Sequence, residues 1–451
     1  MLRRKTESKI NEWIKSGKNA LLLTGARQTG KTYLIRELLK ENKCDFVEFN
    51  LIRQPSLVSL LESAATNDIE KFLSRLTVAT DKELKKKKTI IFIDECQVYK
   101  DILTAIKFLV DNGSFRFILS GSLLGVELTD LKSAPVGYLS VIEMFPMDFC
   151  EFITALGIKK ETLELVGNCF TERISVDDFI HEKLIDAFFT YLVVGGMPQA
   201  VQSYVDENDF RKVSEIHKDI IALYKQDFTH YEEKSKLRLI NTYDLIPSEL
   251  NMKNKRYIFT DLDKNLKFDR YENSFNWLMD AGVALPVFNT TEPVIPLKIN
   301  KQSNLFKLFM SDAGLLTTSY GRAAQIKILE RAKEINFGAI FENVVAQELT
   351  ANGYELYYFA SKTQGELDFL IEHEGKCLPI EVKSGKDFTK HSALNNVLSN
   401  KDYGIEEAVV FTSYNVKKEE KISYLPIYMT MFLNENNLKL PQKARIDLSD
   451  L

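Results

Sequence analysis

"NALLLTGARQTGKTYLIRELL", residues 19–39, decides the fold of this chain. Ala20 to Leu23 form a short apolar run of the kind buried in a parallel sheet. Gly25 to Thr32 fit the spacing G-x-x-x-x-G-K-[ST], and Tyr33 to Leu39 read as an amphipathic helix. Strand, glycine-rich turn and helix in this order make a phosphate cradle, because Gly25 and Gly30 let the backbone bend until its N–H groups and the helix N-terminus face an anion. Gly25, Ala26, Arg27, Gln28, Thr29, Gly30, Lys31, Thr32 and Tyr33 are therefore the expected nucleotide contacts. Lys31 would reach the β- and γ-phosphates of ATP, and Thr32 would give Mg²⁺ a hydroxyl ligand.

About sixty residues on, "KKTIIFIDECQ" carries an apolar run, Ile90 to Ile93, that ends in Asp94 and Glu95. A buried parallel strand ending in carboxylates is the expected partner of a phosphate loop. Asp94 would hold Mg²⁺, and Glu95 would act as general base on the attacking water. "FRFILSGSLLG" gives a further strand, with Ser120 at its tip to sense the γ-phosphate or orient water.

The chain has 451 residues, 45% apolar and 27% charged, enough for about two to four globular domains. A formal charge of −4 gives no global basic signature, so any nucleic-acid contact must come from a local patch. Five scattered cysteines without a C-x-x-C pair argue against a disulfide framework or a zinc ribbon and fit a reducing cytoplasm. No apolar run approaches the ~20 residues of a membrane span, and the start, "MLRRKTESKINEWIK", lacks the apolar stretch of an export signal. The expectation is a cytoplasmic protein with no membrane partner.

"TGARQTGKT", "IIFIDECQ", "ILSGSLLG", "PVGYLSVIEMFPMDFCEF" and "YLVVGGMPQAV" together resemble the successive landmarks of a prokaryotic AAA-type P-loop ATPase family, related to the STAND-type switch ATPases, whose members carry a C-terminal domain of unknown function, DUF4143. Tyr138 stands where members often have an Arg after "PVG". The resemblance, the helix, turn and helix pattern that follows the "GGMP" break, and the acidic hairpin near the other end together set the expectation of an α/β protein: a P-loop parallel-sheet domain over 1–150, a helical lid over 151–205, a winged-helix-like domain over 206–315 and a restriction-endonuclease-like domain over 316–451. The "GGMP" break at Gly195 to Pro198 would let the lid close on nucleotide. In the third segment, whose "VALPVFN" reads as a closing strand pair, Lys253, Lys255 and Arg256 would suit DNA phosphates. "KELKKKK", Lys82 to Lys88, reads as a solvated loop ahead of a buried strand.

Near the other end, "GELDFLIEHEGKCLPIEVKSG", residues 365–385, reads as a hairpin with Glu374 and Gly375 at its tip. Paired residue numbers then sum to 749, which sets Asp368 opposite Glu381 and Glu366 opposite Lys383. Leu367, Phe369 and Ile371 fall with Val382, Ile380 and Leu378 on an apolar face. Two opposed carboxylates repel, which Mg²⁺ or Mn²⁺ would offset, with Lys383 balancing charge beside the ion. Upstream, "NFGAIFENVVAQELTANG" is an amphipathic helix with Glu342 beside its apolar stripe. Glu342, Asp368, Glu381 and Lys383 resemble the PD-(D/E)xK nuclease superfamily, with "GELD" in place of Pro-Asp; the resemblance implies carboxylates on a metal and Lys383 activating water. The expected function is ATP hydrolysis coupled to DNA binding and metal-dependent cleavage. The alternatives are an ATP-gated switch that holds DNA or a protein partner with an inactive nuclease-like domain, or a homo-oligomeric remodelling motor.

Overall fold

The computed structural model describes residues 2–62, 68–99, 101–122, 137–228, 236–252 and 272–435. The N-terminal sheet holds β1 (Ala20–Thr24), β2 (Phe46–Asn50), β3 (Ile90–Asp94), β4 (Arg116–Ser120) and β5 (Leu139–Glu143) in the order β2-β3-β4-β1-β5, every pairing parallel. Such a sheet must be covered on both faces, which is why β1 and β3 are nearly unbroken apolar runs. On one face α1 (Glu7–Ser16) and α2 (Lys31–Glu41) seal Leu21, Leu23 and Phe92. On the other, α3 (Pro55–Glu62), α4 (Ile69–Val78) and α5 (Asp101–Asn112) seal Leu22, Ile91 and Ile93.

The helices that follow are α6 (Phe149–Ala155), α7 (Lys160–Glu172), α8 (Asp178–Val194), α9 (Pro198–Glu207), α10 (Phe210–Asp227), α11 (Lys236–Asn251) and α12 (Glu272–Asp280). Asp148 and Glu151 form a reciprocal capping box that fixes the start of α6. Nine residues of α8 are buried, from His181 to Val194, and its last turn, Tyr191 to Val194, is buried on every side.

The second sheet is mixed, in the order β12-β13-β11-β10-β9-β8-β6-β7. Its strands are β6 (Ala284–Thr290), β7 (Lys301–Met310), β8 (Tyr357–Ser361), β9 (Gly365–His373), β10 (Lys376–Val382), β11 (Ala408–Thr412), β12 (Lys417–Glu419) and β13 (Ile422–Pro426). Helices α13 (Ala313–Ser319), α14 (Arg322–Leu329), α15 (Phe337–Ala351) and α16 (Ser392–Ser399) complete it. "VALPVFN" belongs to one strand, β6, not two: seven residues leave no room for a turn and a return strand. Its antiparallel partner is β7, so the sheet crosses the boundary expected at residue 315.

One core joins α6 to α15 with the inner face of this sheet, from Phe149 through Phe341 and Phe411 to Leu433. The helices expected to form a lid are thus bonded through packing to the C-terminal sheet, since α8 and the sheet share one core. The five cysteines are free. No described helix is long and apolar enough to cross a membrane.

Candidate functional site

Register builds the first site. Parallel pairing sets Asn50 beside Asp94 and Asp94 beside Ser120 at the carboxyl ends of three neighbouring strands. Asp94 accepts from Asn50 Nδ2 at 2.8 Å, from Thr32 Oγ1 at 2.9 Å and from the Ser120 hydroxyl. These three donors cage a buried carboxylate that would otherwise be costly to desolvate. Asn50 was not foreseen; only the strand register reveals it.

The phosphate loop wraps the N-terminus of α2, with Gly30 at φ 90° as its cap. A side chain on Gly25, at φ 128°, would run into the Met144 carbonyl, so glycine is obligatory there. Lys31 Nζ donates to the Gly25 and Ala26 carbonyls at 2.9 and 2.7 Å. Burial pulls its ammonium down to about 8, against the opposing fields of Glu95 and Asp94. Thr29 donates to the Ala26 carbonyl, and its own carbonyl accepts from the buried Arg4 at 2.9 Å. Arg27, Gln28, Gly30, Lys31, Thr32, Tyr33, Asp94 and Glu95 line one open cleft of about 470 Å³, with Leu223 of α10 as its far wall. The other residues expected here, Gly25, Ala26, Thr29 and Ser120, stand behind that lining, joined to Lys31, Arg4 and Asp94.

Two contacts tie that loop to the helices. Arg27 pairs with Asp227 at 2.6 Å, and the Tyr224 hydroxyl donates to the Arg27 carbonyl, both from α10. The Pro198 ring faces Gly30, 3.6 Å from where a side chain there would begin. Its neighbour Gly196 accepts from Met147 N and donates to Asp312 Oδ2, each at 2.6 Å. Asp312 caps α13 through Leu315 N, and burial pushes its carboxyl up to about 6. Gln347 of α15 accepts from Ala313 N at 2.9 Å and donates to the Tyr191 hydroxyl at 2.8 Å. A chain of buried polar contacts thus runs from Gly196, two residues before the Pro198 that faces the phosphate loop, to α15.

His217 sits within this junction, fully buried, its Nε2 donating to the Val194 carbonyl and its Nδ1 accepting from Thr318. Burial lowers it from 6.5 to about 4. The unfolded chain then binds a proton first on acidification, so this residue costs stability as pH falls from 6.5 toward 4, while Asp312 acts in the opposite sense between 3.8 and 6. In His217→Gln the loss of urea resistance over that window should shrink relative to the parent; an unchanged slope would rule His217 out as its source.

The hairpin turns at Glu374 (φ 49°) and Gly375 (φ 77°), with Lys376 opposite His373 and Ile380 opposite Phe369, the register expected. One feature departs. Phe359 pairs with Leu367 but Tyr357 with Leu370, so β9 carries a bulge at Asp368 and Phe369. Leu367 consequently faces the core of Tyr357 and Leu370, on the side opposite Phe369, Ile371, Leu378, Ile380 and Val382.

Asp368 accepts from Val382 N at 2.9 Å, and Lys383 Nζ lies 2.7 Å from Glu381 Oε2. Burial first, then Asp368, push the Glu381 carboxyl well above its usual range, with Lys383 opposing. Glu366 does not pair with Lys383. It pairs at 2.7 Å with Lys307 of β7, an ammonium buried under Tyr358. Burial works to lower Lys307, but Glu342, Glu366 and Asp368 outweigh it and hold it charged. Glu342 is buried on α15 and its field reaches Glu381, Lys383 and Lys307. Among the described residues no three His, Cys, Asp or Glu side chains converge closely enough to hold a metal ion.

Lys253, Lys255 and Arg256 lie outside the described residues. In the basic run 82–88, Lys82 pairs with Asp45 at 2.6 Å, ahead of β3. Tyr138 packs near Lys107 and its hydroxyl donates to Asp111.

Residues 17–153 match the family model of an AAA domain; residues 185–325 and 337–430 match two domains of unknown function, DUF8612 and DUF4143. With its intact phosphate loop and acidic strand, the N-terminal unit is a P-loop ATPase domain of the AAA type, and the protein is an ATPase. None of the curated proteins matches the chain. The Walker-type ATPase PABY2304 of Pyrococcus abyssi is similar in structure at 16% identity and TM-score 0.41, over 71% of this chain and 96% of its own. Cdc6p from Pyrobaculum aerophilum follows at 13% and 0.28, over 73% and 95%. At such scores the fold rests on the strand order above, not on these neighbours.

Proposed function

We propose that this ATPase uses its nucleotide cycle to act on a C-terminal domain that handles DNA. The observation that carries the reading is the run of contacts from the Pro198 ring facing Gly30, through the buried polar links of Gly196 and Asp312, to Gln347, because Gln347 and Glu342 share the helix α15. A shift of the phosphate loop on nucleotide binding would be felt at Gly196, whose backbone has no slack, and passed along a packed helix.

In the ATP site, Thr32 and Asp94 present hard oxygen donors at the cleft floor and fit Mg²⁺. That ion would supply charge neutralisation at the β- and γ-phosphate oxygens. Lys31 would bind those phosphates, Ser120 would orient Asp94, and Glu95 would accept the proton of the attacking water.

The C-terminal domain reads as nuclease-like: helix α15, strands β8, β9 and β10, helix α16 and strand β11 follow one another, with Glu342 on the first helix, Asp368 on the second strand and Glu381 and Lys383 at the end of the third. As they stand, however, the carboxylates do not fit a metal. Lys383 occupies Glu381, Lys307 occupies Glu366, and no three acidic groups converge among the described residues. The geometry supports binding over cutting.

The test is to incubate plasmid and linear DNA with Mg²⁺ or Mn²⁺, with and without ATP, alongside salt-dependent DNA affinity. DNA should bind more weakly as salt rises and about threefold or more weakly in Lys383→Ala, without strand breakage. Metal-dependent cleavage lost in Asp368→Ala would replace this reading with an active nuclease, and its loss in Lys31→Ala would make it ATP-gated. Failure to bind DNA at low salt would leave a switch acting on a protein.

A further inference from the structure

Hydrolysis of ATP joins a water oxygen to the γ-phosphorus, breaks the bridge to ADP and sends the water's proton to a base. Taking Glu95 as that base leaves a question of geometry: a half-buried carboxylate on a single turn needs something to aim it. Glu95 has φ 57°, and the short 3-10 turn Cys96–Val98 that follows folds the chain back on itself, anchored by the buried Cys96.

We propose that Gln97 is the positioning residue for Glu95. Its Nε2 donates to Glu95 Oε2 at 2.6 Å and lies 3.4 Å from the hydroxyl oxygen of Ser122. An ionised carboxylate only accepts hydrogen bonds, so the amide must turn its nitrogen toward Glu95. Ser122 is itself buried just beyond β4 and lines the nucleotide cleft with Glu95. Gln97 therefore braces the carboxylate against the strand that carries Ser120. Its amide oxygen is buried and has no hydrogen-bond partner among the described residues.

The role differs from that of the residues around Asp94. Asn50, Thr32 and Ser120 fix the carboxylate expected at the metal, whereas the side-chain hydrogen bonds of Gln97 among the described residues go to Glu95 and Ser122. Losing it should spare nucleotide binding and slow the chemical step.

The experiment measures kcat and KM for ATP in the parent, Gln97→Met, Gln97→Asn, Glu95→Gln and the double variant Glu95→Gln with Gln97→Met, with fluorescent ADP affinity as the check on folding. A hydrogen bond to a charged group lost from the transition state predicts a kcat about 10- to 100-fold lower in Gln97→Met, with KM within about twofold. Gln97→Asn, whose amide is one methylene shorter, should retain more of the rate. In the Glu95→Gln background the Gln97 change should have no further effect on the residual single-turnover rate, because the group it aims is gone. A parental kcat in both Gln97 variants, or an equal loss with and without Glu95, overturns the inference. A parental kcat in Glu95→Gln overturns the base assignment itself, which separates the two failures.

Discussion

Lys31→Ala should lower kcat/KM for ATP by about 10³-fold, the loss expected when a preorganised cation is removed from developing phosphate charge. In the free protein the Lys31 ammonium is hydrogen-bonded to two loop carbonyls within reach of the carboxylates of Asp94 and Glu95. Without it those carboxylates face the incoming phosphates unopposed. The pH dependence follows from its burial. Because the ammonium is drawn down to about 8, ATP affinity should weaken as pH rises through that value, and Lys31→Arg, permanently charged, should lose the dependence whatever it does to turnover. Phosphate release and nucleotide titrations between pH 7 and 9 read both effects; undiminished turnover in Lys31→Ala would place hydrolysis elsewhere.

Gly196→Ala should destabilise the fold by about 3 kcal/mol or more and abolish ATP turnover with it. A methyl group there would collide with the Met147 carbonyl and meet Met147 N at 2.7 Å, both backbone atoms of the hydrogen-bonded pair that seats the Gly195–Pro198 loop. Backbone cannot swing aside as a side chain can, so the loop must lift away from Asp312 and the phosphate loop together. A urea midpoint equal to the parent would mean that the junction is not under tension. Asp312→Asn is the milder companion: it keeps an oxygen for Leu315 N and should cost less.

The first site was legible because its chemistry is local. Gly25 to Thr32 and Asp94–Glu95 are each a contiguous string whose spacing has few other uses, and parallel sheet topology brings strand ends together without further instruction. The hairpin register was equally readable, since a two-residue turn and alternating burial admit one solution. The bulge at Asp368 was not, because an extra residue leaves the pattern of apolar letters intact while reversing one of them. Lys307, Asp312 and Asn50 lay beyond reach for another reason. Each acts on residues dozens of positions away, and none stands in a motif. A lone lysine in "NLFKLFM" reads as the polar letter of a strand, and only its burial marks it as part of the acidic site.

The continuous core around α8 limits how this protein can be taken apart. Phe188 and Phe189 meet Phe341 edge-on, while β6 and β7 close the far side of the C-terminal sheet. A fragment begun at residue 337, where the last family model starts, would leave both strands behind and turn Phe341 and Phe369 out to water. Such a piece should precipitate when expressed alone. Exchange of this domain between relatives should succeed only with cuts placed ahead of α6, which carry the helices along with the sheet they cover.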